Sequence, residues 1–203
     1  MQFRTVRTGP LSTNCYLVYL EDKKHLYIID PGAEPEKILA AAAEFPAEET
    51  AVLLTHAHID HVSAAGKVCS ALGVKKVYLN KADEPLYFSP ENEIFPYYAR
   101  ATDLPQVSEF SPEGDFSVFA LPGHSPGGSG FLFRHGGQKA FFVGDTVFES
   151  SIGRTDLWGG DYGTLIHSIK SVILAMEEDL ELFCGHGSST TVGRERIGNP
   201  YLI

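Results

Sequence analysis

AVLLTHAHIDHV, residues 51–62, runs from an apolar, β-branched stretch directly into a cluster of side chains that bind metals. AVLLT has the composition of a buried strand, and the alternation of a strand aims His56 and His58 the same way where it ends. Asp60 and His61 follow as the chain turns into the next helical stretch, so one short loop can serve two cations. The chain holds 8 histidines, and three of them crowded beside an aspartate within residues 56–61 are not accounted for by core packing or coincidence.

Working outward, the theme of a donor after an apolar run recurs. His124 lies in LPGHSPGG after FSVFA, Asp145 in VGDTVF after KAFFV, and His186 in CGHGS after LELF. Each is flanked by glycine, which lets the backbone turn sharply and approach a site closely. Imidazole and carboxylate donors without thiolates suit zinc, iron or manganese, and a carboxylate can bridge two cations as a neutral imidazole cannot. A two-metal site is expected. His25, His135 and His167 lack this context and read as solvated or packing residues. Cys15, Cys69 and Cys184 are odd in number and form no CxxC pair, so they read as reduced, mostly buried thiols.

The runs CYLVYL, HLYIID, AVLLT, KVYLN, FSVFALPG, GFLFR, KAFFVGD and LELFCG read as strands, bounded by Gly, Pro, Asp or charged residues. Gly136-Gly137 can supply the positive φ angles of a tight hairpin between two of them. PEKILAAAAEF, VSAAGKVCSAL and YGTLIHSIKSVILAM have helical character. Strands alternate with helices but hairpins are present too, which favours an α/β arrangement of mixed sheets between helices over a doubly wound parallel sheet. The segment from Ala82 to Val107 is proline-rich, aromatic and aperiodic. It reads either as a substrate lid or as a packed surface excursion, and Tyr87, Phe88, Tyr97 and Tyr98 within it are candidate pocket residues. The tail GRERIGNPYLI should dock back on the protein.

With 203 residues, 43% hydrophobic and 21% charged, the chain is expected to form a single domain over 1–203. A formal charge of -10 argues against a nucleic-acid partner, whose non-specific affinity depends on Lys and Arg. The N-terminal MQFRTVRTGP has no signal-like apolar region, and no stretch is long enough to span a membrane. The expectation is a cytoplasmic protein without a membrane partner; the sequence is silent on oligomeric state.

THAHIDH, PGHSPG, GDTVF and CGHG, in that order, resemble the metallo-β-lactamase superfamily. GRTDLWGGD at Gly153 to Asp161 and the tail TTVGRERIGNPYL make the chain look most like its short glyoxalase II, or hydroxyacylglutathione hydrolase, branch. The resemblance implies an αββα sandwich and a binuclear site, with zinc first and iron or manganese compatible. It places metal 1 on His56, His58 and His124 and metal 2 on Asp60, His61 and His186, with Asp145 bridging. A cysteine at the position of Asp145 marks several true lactamases, so penicillin hydrolysis falls in rank. The resemblance leads us to expect the domain without the extra C-terminal helical region that binds glutathione in full-length glyoxalase II, which leaves the thiol half of the substrate open.

The activity implied is hydrolysis of a small-molecule thioester, an S-acyl or 2-hydroxyacyl glutathione or a relative. A water held between two cations would lose its proton near neutral pH and attack the thioester carbonyl, with Asp60 orienting it and Asp145 holding both metals; these two aspartates are the expected catalytic residues. Arg154 meets either a substrate carboxylate or Asp156. Two competing readings remain: a mononuclear-iron persulfide dioxygenase on the same scaffold, and a metal-binding protein without catalysis.

Overall fold

Alternation of large apolar residues shapes each half of the molecule. A computed structural model describes residues 1–109 and 114–203. The chain divides into two compact units, Met1–Phe110 and Ser111–Ile203.

In the first unit CYLVYL lies in β2 (Thr13–Leu20), antiparallel to both β1 (Gln2–Thr8) and β3 (His25–Ile29). β4 (Glu49–Leu53) and β5 (Lys76–Tyr78) then add in parallel, giving a five-stranded mixed sheet of order β1-β2-β3-β4-β5. Cys15, Leu17, Tyr19, Leu26, Ile28 and Val52 share one core, into which α1 (Pro35–Ala42) sends Ile38, Ala41 and Ala42, and α3 (Ala65–Leu72) sends Val68 and Cys69. The α2 turn (Ile59–Val62) lies between them in sequence. The alternating partners Tyr16, Val18, Leu20, Tyr27, Ile29 and Leu53 are buried as well, so the central strands are covered on both faces. β1 is mostly exposed and rich in polar residues, as an edge strand is, and its sequence carries no strand alternation to read.

The segment from Ala82 to Val107 opens on a 3-10 turn (Lys81–Asp83) and α4 (Glu84–Tyr87) and is otherwise irregular. It is a packed excursion and not a free lid. Tyr87 and Tyr98 are buried in the core of the unit, and the Tyr87 hydroxyl donates to the Pro105 carbonyl at 3.2 Å. Phe88 and Tyr97 stay exposed.

In the second unit β6 (Phe116–Ala120), β7 (Ser129–His135) and β8 (Gln138–Gly144) form an antiparallel meander, and β11 (Glu181–Cys184) adds parallel to β8 with the short β12 (Thr190–Thr191) at the edge. Gly136 and Gly137, at φ 56 and 79, make the β7–β8 turn, and the positive angle at both central residues is that of a type I′ hairpin. β9 (Val147–Phe148) and β10 (Ser151–Ile152) make a small separate ribbon. The helix α5 (Tyr162–Ser168) continues as a π-helical turn (Ile169–Ile173), placing Leu165, Ile169 and Ile173 against Leu132, Phe141, Val143 and Leu182. The tail docks as expected within this unit: α6 (Val192–Gly198) ends near Asn199, whose amide donates to Ser151 O at 2.9 Å, and Leu202 joins the core. Among the described residues no helix is long and apolar enough to cross a membrane.

All three cysteines are free and buried. Burial pushes the Cys69 thiol up to about 11, and burial with help from Asp145 and Glu195 pushes Cys184 up to about 12; Cys15 is raised well above the ordinary range by burial and then by Asp30. The thiolate is the reactive form, so the native protein should resist a thiol reagent at pH 8 and titrate all 3 cysteines only once unfolded. Fast native labelling of any one would contradict this account of the core.

Candidate metal centre

The histidine loop is built on a strand end. After Leu53 leaves β4 the chain continues through Leu54 and Thr55 to His56, and α2 begins just after His58. His56, His58, Asp60 and His61 are all buried, His61 completely. The His56 ring lies 4.8 Å from that of His58 and 4.2 Å from that of His61, centroid to centroid.

Asp30 at the end of β3 organises this loop. Its carboxylate accepts from the Thr55 N–H at 2.7 Å, from the Thr55 hydroxyl at 2.6 Å and from His61 Nδ1 at 3.0 Å. A ligand atom of Asp30 falls within 4.8 Å of ones from His56 and His61, but both Asp30 oxygens already accept hydrogen bonds, which makes it the support of the donors. Bonding at Nδ1 fixes the His61 tautomer and presents Nε2, which lies 3.6 Å from Asp60 Oδ2. The same Asp60 oxygen accepts from the Thr13 hydroxyl at 3.1 Å. Gly32 matters here too: a Cβ at this position would lie 1.8 Å from the Asp60 carbonyl oxygen, so only glycine lets the β3–α1 loop pass under α2.

The second unit brings His124, Asp145 and His186 together. His124 Nε2 is 3.7 Å and His186 Nε2 is 3.4 Å from Asp145 Oδ2, so one carboxylate oxygen stands between two imidazole nitrogens. His124 Nδ1 donates to the Arg154 carbonyl at 2.8 Å, which places the proton on Nδ1 and leaves Nε2 as the nitrogen on the Asp145 side. Gly153 passes close beneath, since a Cβ there would sit 1.9 Å from the Asp145 carbonyl oxygen.

These spacings fit a metal. Two donors each about 2.0–2.2 Å from a tetrahedral zinc stand roughly 3.3–3.6 Å apart, close to the separations found in each unit. The donor chemistry of imidazole and carboxylate without thiolate is likewise that of zinc, iron or manganese. Each candidate metal donor from the sequence lies in one of the two clusters.

Asp30 and Thr13 were not among the candidates. HLYIID does end on an aspartate after an apolar run, the signal that picks out Asp145. His25, His135 and His167 stay outside both clusters. Arg154 is exposed and paired with Asp156, Nε–Oδ1 and Nη2–Oδ2 both at 2.7 Å, and this pair holds the Asp156 carboxyl down at about 2. Arg154→Ala is therefore expected to leave the substrate KM unchanged, because only the carbonyl of this residue faces the cluster; a marked rise in KM would restore a substrate contact.

Comparison with known proteins agrees with this chemistry. The family model for the metallo-beta-lactamase superfamily matches residues 8–186. The hydroxyacylglutathione hydrolase GloC of Haemophilus influenzae is 36% identical, over 100% of this chain and 98% of that protein. Among solved structures, TTHA1623 in a di-iron-bound form is similar with a TM-score of 0.84 and 36% identity, covering 98% of this chain and 100% of its own. The BLEG-1 B3 metallo-beta-lactamase matches with a TM-score of 0.81 and 32% identity, covering 99% of each chain. With mixed sheets flanked by helices, the chain has the α/β metallo-beta-lactamase fold of these neighbours.

Proposed function

Because this chain belongs to the metallo-β-lactamase superfamily, a fold of metal-dependent hydrolases, we propose that it is a binuclear thioester hydrolase of glyoxalase II type, acting in the cytoplasm as one functional domain. Asp145 carries the reading, with one carboxylate oxygen within 3.7 Å of His124 Nε2 and 3.4 Å of His186 Nε2. On the family pattern, metal 1 is assigned to His56, His58 and His124, metal 2 to Asp60, His61 and His186, and the bridge to Asp145. Two divalent cations, zinc by preference, would supply Lewis acidity at this site and lower the pKa of a bound water.

The chain's own residues prepare the donors for that role. Asp30 and the Arg154 carbonyl accept from the Nδ1 atoms of His61 and His124, so each imidazole offers Nε2 in the correct tautomer. Thr13 donates to Asp60 Oδ2 and so helps to fix the orientation of the carboxylate that would orient an attacking water. A small acyl thioester of glutathione, or of a related thiol, is the substrate class.

Metal content per chain, measured with hydrolysis of S-D-lactoylglutathione on the same preparation, tests the proposal. About two metals with thioester turnover is the expected result. The BLEG-1 neighbour gives a second reading, β-lactam hydrolysis, so a β-lactam substrate belongs in the same assay. β-Lactam cleavage without thioester turnover would move the assignment to that activity, and a single iron with oxygen uptake on glutathione persulfide would move it to a dioxygenase.

A further inference from the structure

Ala57, between His56 and His58, is fully buried and lies beyond the last ladder hydrogen bond of β4, so its backbone groups need partners from elsewhere. Both come from the irregular segment that follows β5. The Asp83 carboxylate accepts from the Ala57 N–H at 2.9 Å, and the Asn92 side-chain amide donates to the Ala57 carbonyl at 2.8 Å. Asp83 has no exposed surface and Asn92 is 5% exposed.

The Ala57 N–H belongs to the peptide that joins His56 to Ala57, and the Ala57 carbonyl to the peptide that joins Ala57 to His58. Holding both groups fixes two consecutive peptide planes, and with them the Cα positions from which both imidazoles project. Asp83 is itself placed by its turn, where its N–H donates to the Asn80 carbonyl at 2.9 Å and the Asn80 side chain caps Ala82 at 3.0 Å.

We propose that Asp83 and Asn92 are positioning residues of the metal centre, a two-sided clamp on Ala57 that sets the spacing of His56 and His58. The segment from Ala82 to Val107 thereby serves as the brace of the metal loop. This proposal rests on the metal reading above.

Two nearly isosteric variants test it. Asn92→Asp replaces the donor to the Ala57 carbonyl with an acceptor, whereas Asp83→Asn keeps an oxygen able to accept from the Ala57 N–H. Zinc affinity would be measured by competition with a chromophoric chelator, alongside the visible spectrum of the cobalt(II)-loaded protein and the melting midpoint of the metal-free protein. Asn92→Asp should bind zinc about 10–100-fold more weakly with an altered cobalt spectrum, the usual cost of losing an outer support, while Asp83→Asn stays close to wild type. If Asn92→Asp does not fold, Asp83→Ala carries the same expectation. Wild-type zinc affinity and cobalt spectrum in the tested variant would overturn the clamp, even if its melting midpoint fell. A wild-type protein that takes up no metal would overturn the metal reading itself, and the clamp with it.

Discussion

Replacing Asp145 with alanine should remove more than about 100-fold of the thioester turnover and lower the metal content per chain. Losing even an outer support of a metal site typically costs about 10–100-fold, and a bridging ligand would touch both cations. The metal-free variant should nevertheless melt close to metal-free wild type. Asp145 is a nearly buried carboxylate placed against two imidazoles, and a charge held there costs desolvation that the protein no longer bears once it is gone. Full activity with two metals retained would refute the bridging assignment. A large loss of metal-free stability would show instead that Asp145 is mainly a structural contact.

Asp30→Ala should do the reverse, damaging the fold first and the chemistry through it. Its carboxylate accepts from the Thr55 N–H, the Thr55 hydroxyl and His61 Nδ1, and truncation strands these groups in a region with almost no solvent access. Breaking a buried hydrogen-bonded network of this kind costs about 3–5 kcal/mol. Alanine also tolerates the left-handed backbone here, at φ 52, less well than aspartate. Denaturant unfolding of the metal-free variant measures the loss, and a change below about 1 kcal/mol would mean that the network is not what holds the loop. Together the two variants separate a ligand from a support, because only the support should register without metal.

What could be read from the sequence follows from where the information lies. Candidate metal donors at the ends of apolar runs announce themselves, because strand alternation and flanking glycines are local patterns, and His56, His58, Asp60, His61, His124, Asp145 and His186 all have that setting. Asp30 has the same setting, but its meaning depends on partners 25 and 31 residues away, which meet it only through the parallel register of β3 on β4. Asp83 and Asn92 sit in an aperiodic stretch, where no spacing marks a residue whose task is to bond a distant peptide. β1 is polar because it lies at an edge, and β9, β10 and β12 are two residues long, too short for any period to show.

The parallel pairing of β3 with β4 also implies an order of events during folding. Ile29 faces Leu53 across that ladder, and Asp30 reaches Thr55 only when the register is set. A parallel pair cannot close through a tight turn; here the intervening chain must first run through α1 and return, a slower search than forming the β1–β2 or β7–β8 hairpin. Until it closes, His56 and His61 belong to a flexible stretch with no common geometry. Tight capture of a cation is therefore expected late in folding, with the metal loop an outcome of folding more than a nucleus for it.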